Sequence, residues 1–511
     1  MQIYNKKDGK GAFALNTIKI SRIYELAGDT PCASLNDCDI TSICFDSRKA
    51  SSGSAFFCLR GALSDGHDYA ASAYERGCRV FVCDRMPRDF TKRGAKVIIC
   101  RDGSRRALAD VAAEFYGHPE RTLRLIGITG TKGKTTTAKF IADTLNFCGV
   151  KAGYIGTNGV DFDSRHINTV NTTPESCDIY EYLSMMLESG VQAAVIEVSS
   201  QALKCGRVRG LTFEGCVFTN LSEDHIGGNE HSDFDEYKDC KKLLFSDFCG
   251  AFALFNGDSE YADEFAAALP SHVIASKYSI CDEKCDVYAD GIRLLRDENG
   301  PASSFLLCCD GERHTMRLNF PGDFNVSNAL AAFGVCREFG VDVHSFKRSL
   351  EKLSIPGRFE VISRGGVDFV IDYAHNGESL RSVLSVLRKY EPRRLICLFG
   401  SVGGRTFGRR AELGGVASAL ADFSIITSDN PDCEDAQKII DEIAKCYENA
   451  DGYVSFTDRR EAIEYAAKIA EKGDIVLFAG KGHERYQLVC GRREPFCEKD
   501  ILISAFERVR I

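Results

Sequence analysis

A strand, a glycine-rich turn and a helix follow one another in the segment that most constrains this chain. The run from Leu123 to Ile128 has the apolar pattern of a buried strand, and Lys134–Phe147 has helical spacing. Between them the chain reads Gly127-Ile-Thr-Gly-Thr-Lys-Gly-Lys-Thr-Thr136. Glycines let successive backbone N–H groups point at phosphate oxygens, and the helix N-terminus adds its positive dipole. The segment predicts a phosphate-binding loop, although its glycine spacing departs from the strict Gly-x-x-x-x-Gly-Lys-Thr form. The alternative is an ordinary turn between strand and helix.

Several polar residues near this loop are candidates for its chemistry. In a phosphate loop, Lys134 would reach the β- and γ-phosphates and the Thr135 hydroxyl would bind Mg²⁺. Glu197 ends an apolar run and is either a second Mg²⁺ ligand or a capping carboxylate. His225 follows another apolar run, where it would bind metal, orient a carboxylate substrate or serve the structure alone. By pattern alone, Lys241 lies on a solvated basic helix face.

Apolar runs alternate with helix-length stretches along most of the chain. This alternation predicts an α/β fold with parallel sheets and functional residues at the carboxyl ends of the strands. At about 150 residues per domain, 511 residues allow about three domains. The pattern changes near residue 120 and again at Ile355-Pro-Gly-Arg358, where Pro and Gly break a helix. We therefore expect domains at 1–120, 121–355 and 356–511.

Composition and charge exclude some functions. The formal charge of −9 argues against a protein that coats nucleic acid, whose surface is usually strongly basic. No apolar run is long enough to span a bilayer, and the first ten residues form no apolar leader. The 23 cysteines contain no Cys-x-x-Cys pair, which favours reduced thiols. We expect a cytoplasmic protein that neither inserts into membranes nor binds nucleic acid.

Motifs spread over essentially the whole chain resemble those of the Mur ligase family, in particular its tripeptide-synthetase (MurE) type. They stand in family order. They are Asp46-Ser-Arg48, Asp65-Gly-His-Asp-Tyr69, Gly130-Thr-Lys-Gly-Lys-Thr-Thr136, Asn171-Thr-Thr-Pro174, Glu197-Val-Ser-Ser200, Phe218-Thr-Asn-Leu-Ser-Glu-Asp-His225, Phe324-Asn-Val-Ser-Asn328, Pro356-Gly-Arg-Phe-Glu360, Asp372-Tyr-Ala-His375, Asp429-Asn-Pro431 and Gly480-Lys-Gly-His-Glu484.

The resemblance implies an ATP-driven amide ligation in peptidoglycan precursor synthesis. The family phosphorylates the terminal carboxylate of a UDP-linked substrate to an acyl phosphate, which an incoming amine attacks. The implied domains are an N-terminal UDP-substrate-binding domain, a central phosphate-loop ATP-binding domain and a C-terminal Rossmann-like domain that binds the amino acid. The implied partners are UDP-MurNAc-dipeptide, an amino acid, ATP and Mg²⁺, and we expect a monomer.

The resemblance also assigns roles to individual residues, and it replaces the solvated interpretation of Lys241 with a carbamylated lysine that supports metal. The catalytic set is Lys134, Glu197, His225 and Lys241, and the metal set is Thr135, Glu197, His225 and carbamylated Lys241. The ATP set is Gly130, Thr131, Lys132, Gly133, Lys134, Thr135, Thr136, Asn325, Asn328, Arg358 and Asp372. The UDP-muramoyl-peptide set is Ser47, Thr172, Thr173, Ser199 and Arg207. The amino-acid set is Arg405, Asp429, Asn430, Asp432, Gly480 and Glu484.

One departure from the family bears on the amino acid. Members that add meso-diaminopimelate typically read Asp-Asn-Pro-Arg, and the Arg pairs with the distal carboxylate of the substrate. Here the fourth residue is Asp432. A carboxylate at that place would repel a distal carboxylate and attract a distal ammonium. The sequence therefore favours L-lysine or another diamine over diaminopimelate. The alternative is that Asp432 points to solvent.

Three other functions share some of these features. A related ligase, such as folylpolyglutamate or cyanophycin synthetase, is disfavoured by Asp46-Ser-Arg48 and Asn171-Thr-Thr-Pro174, which fit a UDP-muramoyl substrate. A phosphate-loop ATPase would release phosphate without an acceptor. A non-catalytic protein that binds UDP-muramoyl peptide would have no need of the complete metal set.

Overall fold

The structure is a computed structural model that describes residues 16–30, 37–61, 64–87, 94–223, 226–227, 230–404 and 407–509. The chain divides into two compact units, each assembled from segments that are distant in sequence. The first comprises Met1–Thr131, Val150–Ala253 and Glu264–Ala275, and the second comprises Lys132–Gly149, Leu254–Asp263 and Ser276–Ile511. Among the residues described, none of the helices combines the length and apolar character that a membrane crossing requires.

Strands and helices alternate along the chain, which confirms the predicted α/β class. The strands are β1 (Ile18–Lys19), β2 (Asp39–Ile40), β3 (Ser42–Cys44), β4 (Ser54–Phe57), β5 (Val80–Cys83), β6 (Lys96–Ile99), β7 (Arg124–Thr129), β8 (Ala152–Gly156), β9 (Gly159–Phe162), β10 (Arg165–Ile167), β11 (Ala193–Glu197), β12 (Phe213–Phe218), β13 (Cys249–Asn256), β14 (Ile274–Ser279), β15 (Val287–Asp297), β16 (Gly300–Cys309), β17 (Glu312–Leu318), β18 (Glu360–Arg364), β19 (Val367–Asp372), β20 (Leu395–Phe399), β21 (Phe423–Thr427), β22 (Tyr453–Phe456), β23 (Ile475–Ala479), β24 (Tyr486–Val489) and β25 (Arg492–Pro495). The helices are α1 (Ile20–Leu26), α2 (Ala70–Glu75), α3 (Ser104–Phe115), α4 (Lys134–Phe147), α5 (Ser176–Glu188), α6 (Ser200–Lys204), α7 (Phe234–Asp247), α8 (Ala262–Ala266), α9 (Asp323–Glu338), α10 (Val343–Leu350), α11 (Gly377–Arg388), α12 (Gly408–Leu420), α13 (Ala436–Ala444), α14 (Arg459–Ile469) and α15 (Glu498–Val509).

The described residues of the first unit contribute to three sheets, of which the smallest is the antiparallel pair of β1 and β2. A parallel sheet of order β3-β4-β5-β6 lies near the amino end, and the fully buried Phe56 and Phe81 pack in its core. In the third sheet, β7 lies between β11 and β12 and runs parallel to both. The carboxyl ends of these three strands therefore meet at one edge, where parallel sheets carry their ligands. Glu197 is the last residue of β11 at this edge.

In the second unit, α4 packs against α9, and the ring of Phe140 contacts that of Phe320 edge-on. β15, β16 and β17 form antiparallel pairs that the apolar pattern did not predict. Many side chains of β15 are half-buried or exposed, so a search for apolar runs misses the strand. Its signal lies in Asn299-Gly300, where the first turn leads into β16, and in the turn residues Asp310-Gly311, which are typical of hairpins.

A six-stranded sheet of order β18-β19-β23-β20-β21-β22 dominates the carboxyl part of the second unit. All of its pairs except β18–β19 are parallel. Arg459 and Glu498, both without exposed surface, join α14 to α15 by an ion pair of 2.8 Å. The Arg459 guanidinium also donates to the carbonyls of Ser428 and Ala479, at the carboxyl ends of β21 and β23. This ion pair therefore supports the sheet edge where a ligand would bind.

Candidate functional site

The predicted phosphate loop has the geometry that phosphate binding requires. β7 ends at Thr129, one residue beyond the predicted strand, and α4 begins at Lys134, as the sequence predicts. Gly130 adopts a φ of 150°, and a Cβ there would lie 1.9 Å from the Thr219 hydroxyl oxygen. Only glycine fits this position, so the backbone can curl beneath a phosphate at the positive end of α4.

Contacts from neighbouring elements hold the first part of the loop. The Thr131 N–H donates to the Asn220 carbonyl, and the Thr131 hydroxyl accepts the Ser222 N–H. Lys241 donates from Nζ to the Gly130 carbonyl at 2.9 Å and lies over the ring of Tyr237. Because Lys241 is only 1% exposed, the interpretation as a solvated helix face is wrong. The side chain points inward to the phosphate loop.

Asn325 and Asn328, predicted near the adenine, are buried and brace the start of α4. The Thr137 hydroxyl donates to Asn328 Oδ1 at 3.1 Å, and Asn328 Nδ2 donates to Asn325 Oδ1 at 3.3 Å. Asn325 Nδ2 in turn donates to the Pro321 carbonyl. Their contact with adenine stays a prediction, and their bracing role was not apparent from the sequence.

Glu197 is fully buried at the end of β11 and is held by three hydrogen bonds. Its Oε1 accepts the Tyr154 hydroxyl at 2.5 Å and the Thr157 N–H at 3.0 Å, and its Oε2 accepts the Thr157 hydroxyl at 3.1 Å. The capping alternative is wrong, because Ser199 caps the following helix by accepting the Ala202 N–H. Outer partners of this kind orient a carboxylate for a metal ion. Sequence reasoning missed Tyr154 and Thr157, since they approach from another part of the sheet.

Two described members of the predicted metal set carry the oxygen donors that Mg²⁺ prefers. They are the Glu197 carboxylate of the first unit, oriented by its own partners, and the buried Thr135 hydroxyl of the second unit. Lys241, a further described member, donates from an amine and would fit Mg²⁺ only as a carbamate. His225, predicted as a further ligand, lies outside the described residues.

Three of the residues predicted to contact the muramoyl-peptide portion lie beside Glu197. The Thr173 hydroxyl donates to the Glu197 carbonyl at 2.7 Å and lies 3.3 Å from the Ser199 hydroxyl. Thr172 lies 3.1 Å from Thr157, oxygen to oxygen. Ser47 is buried in a short helical turn that follows Asp46.

Arg207, predicted to bind a substrate anion, is partly engaged within the protein. Its Nε donates to Glu175 at 3.0 Å and an Nη donates to the Thr173 carbonyl at 3.2 Å. Arg105 pairs with the other oxygen of Glu175. A cavity of about 360 Å³ in the same unit is lined by further cations that the sequence did not indicate, including Arg60, Lys204 and Arg209.

Arg358 and Asp372, predicted for the ATP site, lie close to one another in the second unit. The Arg358 guanidinium lies 4.9 Å from the centre of the Tyr373 ring. The two Asp372 oxygens accept the N–H groups of Phe359 and Ala374, each at 2.9 Å. Burial raises the pKa of Asp372, and nearby Arg358 opposes that rise. A ribose contact of Asp372 stays a prediction.

Four residues of the predicted amino-acid set line one cavity of about 250 Å³: Asp429, Asn430, Gly480 and Glu484. The cavity lies at the carboxyl ends of β19, β20, β21 and β23, where a parallel sheet binds its ligand. Gly480 has a φ of 112°, and a Cβ there would lie 2.9 Å from Asp429 Oδ2. The absence of a side chain at Gly480 therefore leaves room for the Asp429 carboxylate at the cavity. Arg405 lies outside the described residues.

Buried Lys481 ties the acidic side of this cavity together. Its Nζ lies 2.7 Å from Glu484 Oε2 and 3.5 Å from Asp429 Oδ1, and it donates to Asn430 Oδ1 at 2.9 Å. Asn430 Nδ2 also donates to Glu484 at 3.0 Å. The sequence analysis quoted the segment that contains Lys481 without giving this residue a role.

Asp432 does not line the cavity. Its Oδ1 accepts the Gly491 N–H at 2.7 Å, and its backbone bonds Leu488 of β24 and Cys490 of the turn between β24 and β25. The expectation of lysine depended on an Asp432 carboxylate that faces the substrate. Because that carboxylate is bonded to the hairpin, the physical basis for preferring lysine is absent.

His375 adds a neutral imidazole to the cavity lining. Burial lowers its pKa, and the nearby cations Arg409 and Arg358 lower it further. Its Nδ1 lies 2.8 Å from the Tyr373 carbonyl. Because a carbonyl only accepts, Nδ1 carries the proton and Nε2 keeps its lone pair.

Comparisons with known proteins match family models to three parts of the chain. These are the Mur ligase family catalytic domain at residues 39–116, the Mur ligase middle domain at 128–336 and the Mur ligase glutamate ligase domain at 357–482. The chain is 36% identical over 475 residues to UDP-N-acetylmuramoyl-L-alanyl-D-glutamate–2,6-diaminopimelate ligase 1 of Clostridium acetobutylicum, covering 92% of this chain and 95% of that protein.

Two solved structures are similar over nearly their whole length. A UDP-N-acetylmuramoyl-L-alanyl-D-glutamate–2,6-diaminopimelate ligase has a TM-score of 0.67 at 27% identity, covering 97% of this chain and 100% of that one. Thermotoga maritima MurF ligase in complex with ADP has a TM-score of 0.59 at 18% identity, covering 92% and 97%, and supports the likeness of fold alone. The chain therefore belongs to the Mur ligase family, with its three-domain α/β architecture, and is an ATP-dependent, ADP-forming amide ligase.

Proposed function

We propose that this ligase joins 2,6-diaminopimelate to UDP-N-acetylmuramoyl-L-alanyl-D-glutamate through an acyl phosphate, in peptidoglycan precursor synthesis. The observation that carries the proposal is the likeness, over nearly the whole length, to a 2,6-diaminopimelate ligase. This amino acid replaces the L-lysine expected from the sequence. The charged cavity at the carboxyl ends of β19, β20, β21 and β23 supports a small zwitterionic substrate, since its lining includes the carboxylates of Asp429 and Glu484.

The amino-acid preference should not depend on the charge of Asp432. Asp432→Asn keeps an oxygen that accepts the Gly491 N–H, so we expect the ratio of kcat/KM for diaminopimelate to that for lysine to change less than about twofold. Steady-state kinetics with both amino acids measure this ratio. A shift of about tenfold toward diaminopimelate, one free-energy step of 1.4 kcal/mol, would mean that Asp432 does contact the side chain.

ATP and Mg²⁺ are proposed to bind at the phosphate loop. The loop N–H groups and Lys134 would bind the phosphates, and Thr135, Glu197, His225 and carbamylated Lys241 would hold Mg²⁺. Bound Mg²⁺ supplies positive charge against the repulsion between the substrate carboxylate and the γ-phosphate. Glu197 supports this role because Tyr154 and Thr157 fix both of its oxygens.

Carbamylation of Lys241 is the finer part of this proposal. Burying an ammonium costs free energy, and a carbamate converts that cation into an anion that metal ions bind. The position of Nζ, 2.9 Å from the Gly130 carbonyl, supports a role beside the phosphate loop.

Lys241→Ala should reduce ligation at least about tenfold, as loss of a group that supports metal does. Short carboxylates such as formate or acetate should restore part of the rate, because they can occupy the space of the lost carbamate. The rate is measured as ADP release that depends on both acceptors. Lys242→Ala is the matched control, since the neighbouring Lys242 pairs with Asp239 and Glu264. Absence of rescue in a folded variant would contradict the carbamate.

The UDP-muramoyl substrate is proposed to bind in the first unit. Ser47, Thr172, Thr173, Ser199 and Arg207 are its proposed contacts. The cavity of about 360 Å³ supports an anionic ligand there, because five cations and two acids are among its lining residues.

The three domains are proposed at 1–120, 121–355 and 356–511. Each proposed domain contains one of the matched segments.

We also propose that the chain acts as a cytoplasmic monomer. The described cysteines are free thiols, which supports a reducing compartment.

An amino-acid panel tests the proposed function. Ligation of diaminopimelate, lysine, ornithine and glutamate to UDP-MurNAc-dipeptide is measured by mass spectrometry with ADP release. We expect product with diaminopimelate and ADP release only when both acceptors are present. Efficient ligation of lysine alone would contradict the proposed amino acid, whereas ADP release without acceptors would contradict a coupled ligase.

A further inference from the structure

Arg409 lines the amino-acid cavity and belongs to none of the residue sets predicted from the sequence. It lies in the first turn of α12, and its side chain is half-buried. Within the described ranges, its guanidinium has no hydrogen-bond or ion-pair partner in the protein. The amino end of a helix also favours an anion. The side chain therefore offers an available fork of donors at the cavity.

The neighbouring residue explains how Arg409 stays in place. Arg410 is buried and pairs with Glu434 at 2.6 Å and Glu442 at 2.6 Å. Glu434 also accepts the Gly404 N–H at 2.7 Å. These contacts fix the start of α12, so the backbone of Arg409 is held while its guanidinium remains available to a ligand.

The cavity lining offers two carboxylates that can accept ammonium groups and one guanidinium that can bind a carboxylate. Lys481 contacts one carboxylate oxygen of Asp429 and one of Glu484. The other oxygen of each carboxylate can accept an ammonium. Diaminopimelate carries an ammonium and a carboxylate at both ends, whereas lysine lacks the second carboxylate. An arginine fork binds a carboxylate through two parallel hydrogen bonds.

We propose that Arg409 binds the distal carboxylate of diaminopimelate and thereby selects this amino acid over one that ends in an ammonium alone. The inference rests on the proposed function. In family members that read Asp-Asn-Pro-Arg, the arginine after the proline supplies the cation. Here Asp432 follows Pro431, and Arg409 on α12 supplies the cation instead. The proposal concerns the distal carboxylate alone, because diaminopimelate and lysine share the α-carboxylate.

Arg409→Met and Arg409→Lys test this role, with Arg381→Met on the exposed side of α11 as the control. KM and kcat are measured for diaminopimelate and for L-lysine at saturating ATP and UDP-MurNAc-dipeptide. In Arg409→Met we expect KM for diaminopimelate to rise at least about tenfold, as loss of a charged hydrogen bond does. KM for lysine should change less than about threefold, because lysine lacks the affected group. Arg409→Lys should recover part of the loss, since it keeps the charge without the fork.

The outcomes separate this inference from the function on which it rests. Equal losses for both amino acids would overturn it, because Arg409 would then serve a group that they share or the fold itself. Unchanged kinetics would overturn it as well. A wild-type enzyme that ligates lysine and not diaminopimelate would overturn the proposed amino acid, whatever the variants do. Unfolding temperatures of the variants near that of the wild type exclude misfolding as the cause.

Discussion

Replacing Glu197 by glutamine should lower the rate of ligation at least about 100-fold while the fold stays intact. The amide loses the negative charge that would hold Mg²⁺ at the end of β11. Its oxygen can still accept the Tyr154 hydroxyl and the Thr157 N–H, and its NH₂ group can donate to the Thr157 hydroxyl. The buried hydrogen bonds therefore survive, and the loss should appear in activity rather than in stability.

The measurement is ADP release during ligation at a series of Mg²⁺ concentrations. We expect the half-saturating Mg²⁺ concentration to rise in Glu197→Gln and to stay unchanged in Glu188→Gln, which alters an exposed glutamate at the end of α5. Thr157→Val removes the hydroxyl that donates to Glu197 Oε2 and keeps the backbone N–H, so it should give an intermediate loss, about 10- to 100-fold. A Glu197→Gln enzyme with wild-type turnover would contradict the metal role.

The largest effect on stability is expected for Arg459→Leu. This substitution leaves the Glu498 carboxylate buried without its partner and removes two donors from the carbonyls of Ser428 and Ala479. Breaking a fully buried ion pair by removing one partner costs about 3–5 kcal/mol. Burial already raises the pKa of Glu498, and the Arg459 cation opposes that rise. Without the cation, the carboxyl should take up a proton.

Denaturant unfolding followed by circular dichroism measures this effect as an earlier transition of the carboxyl-terminal part. Arg460→Leu alters an exposed neighbour and should leave the transition nearly unchanged. The double variant Arg459→Leu/Glu498→Leu should recover much of the lost stability, because two apolar side chains can replace a buried ion pair. A single variant as stable as the wild type would contradict the structural role of the pair.

Local patterns predicted the elements on which the phosphate loop and the amino-acid cavity are built. The helix Lys134–Phe147 has the bounds that the sequence predicts, and β7 lies within one residue of the predicted strand Leu123–Ile128 at each end. Both are clear in a single chain segment, because burial on both faces of a strand and glycine at a turn leave local signals. Asp429 and Glu484 came together as predicted because they follow parallel strands of one sheet.

Other features depend on contacts between distant segments, which leave no local pattern. Thr157 orients Glu197 from 40 residues away, and Lys481 joins Asn430 from 51 residues away. Asp432 illustrates the same limit in the opposite direction. Its charge was apparent from the sequence, but the partner that takes up its carboxylate, Gly491, follows it by 59 residues. The sequence shows that residue 432 is acidic but not where its side chain points. The expectation of lysine was therefore wrong.

The charges around the amino-acid cavity also set the requirements for an inhibitor of this enzyme. The cavity lining carries the carboxylates of Asp429 and Glu484 and the guanidinium of Arg409. A neutral compound would displace water from these charged groups without providing a partner of opposite charge. Each charge left without a partner then costs free energy of desolvation. A compact compound that carries fixed charges of both signs, such as an amino phosphonate, would meet them. Selectivity would then follow from the spacing of its charges rather than from its apolar surface.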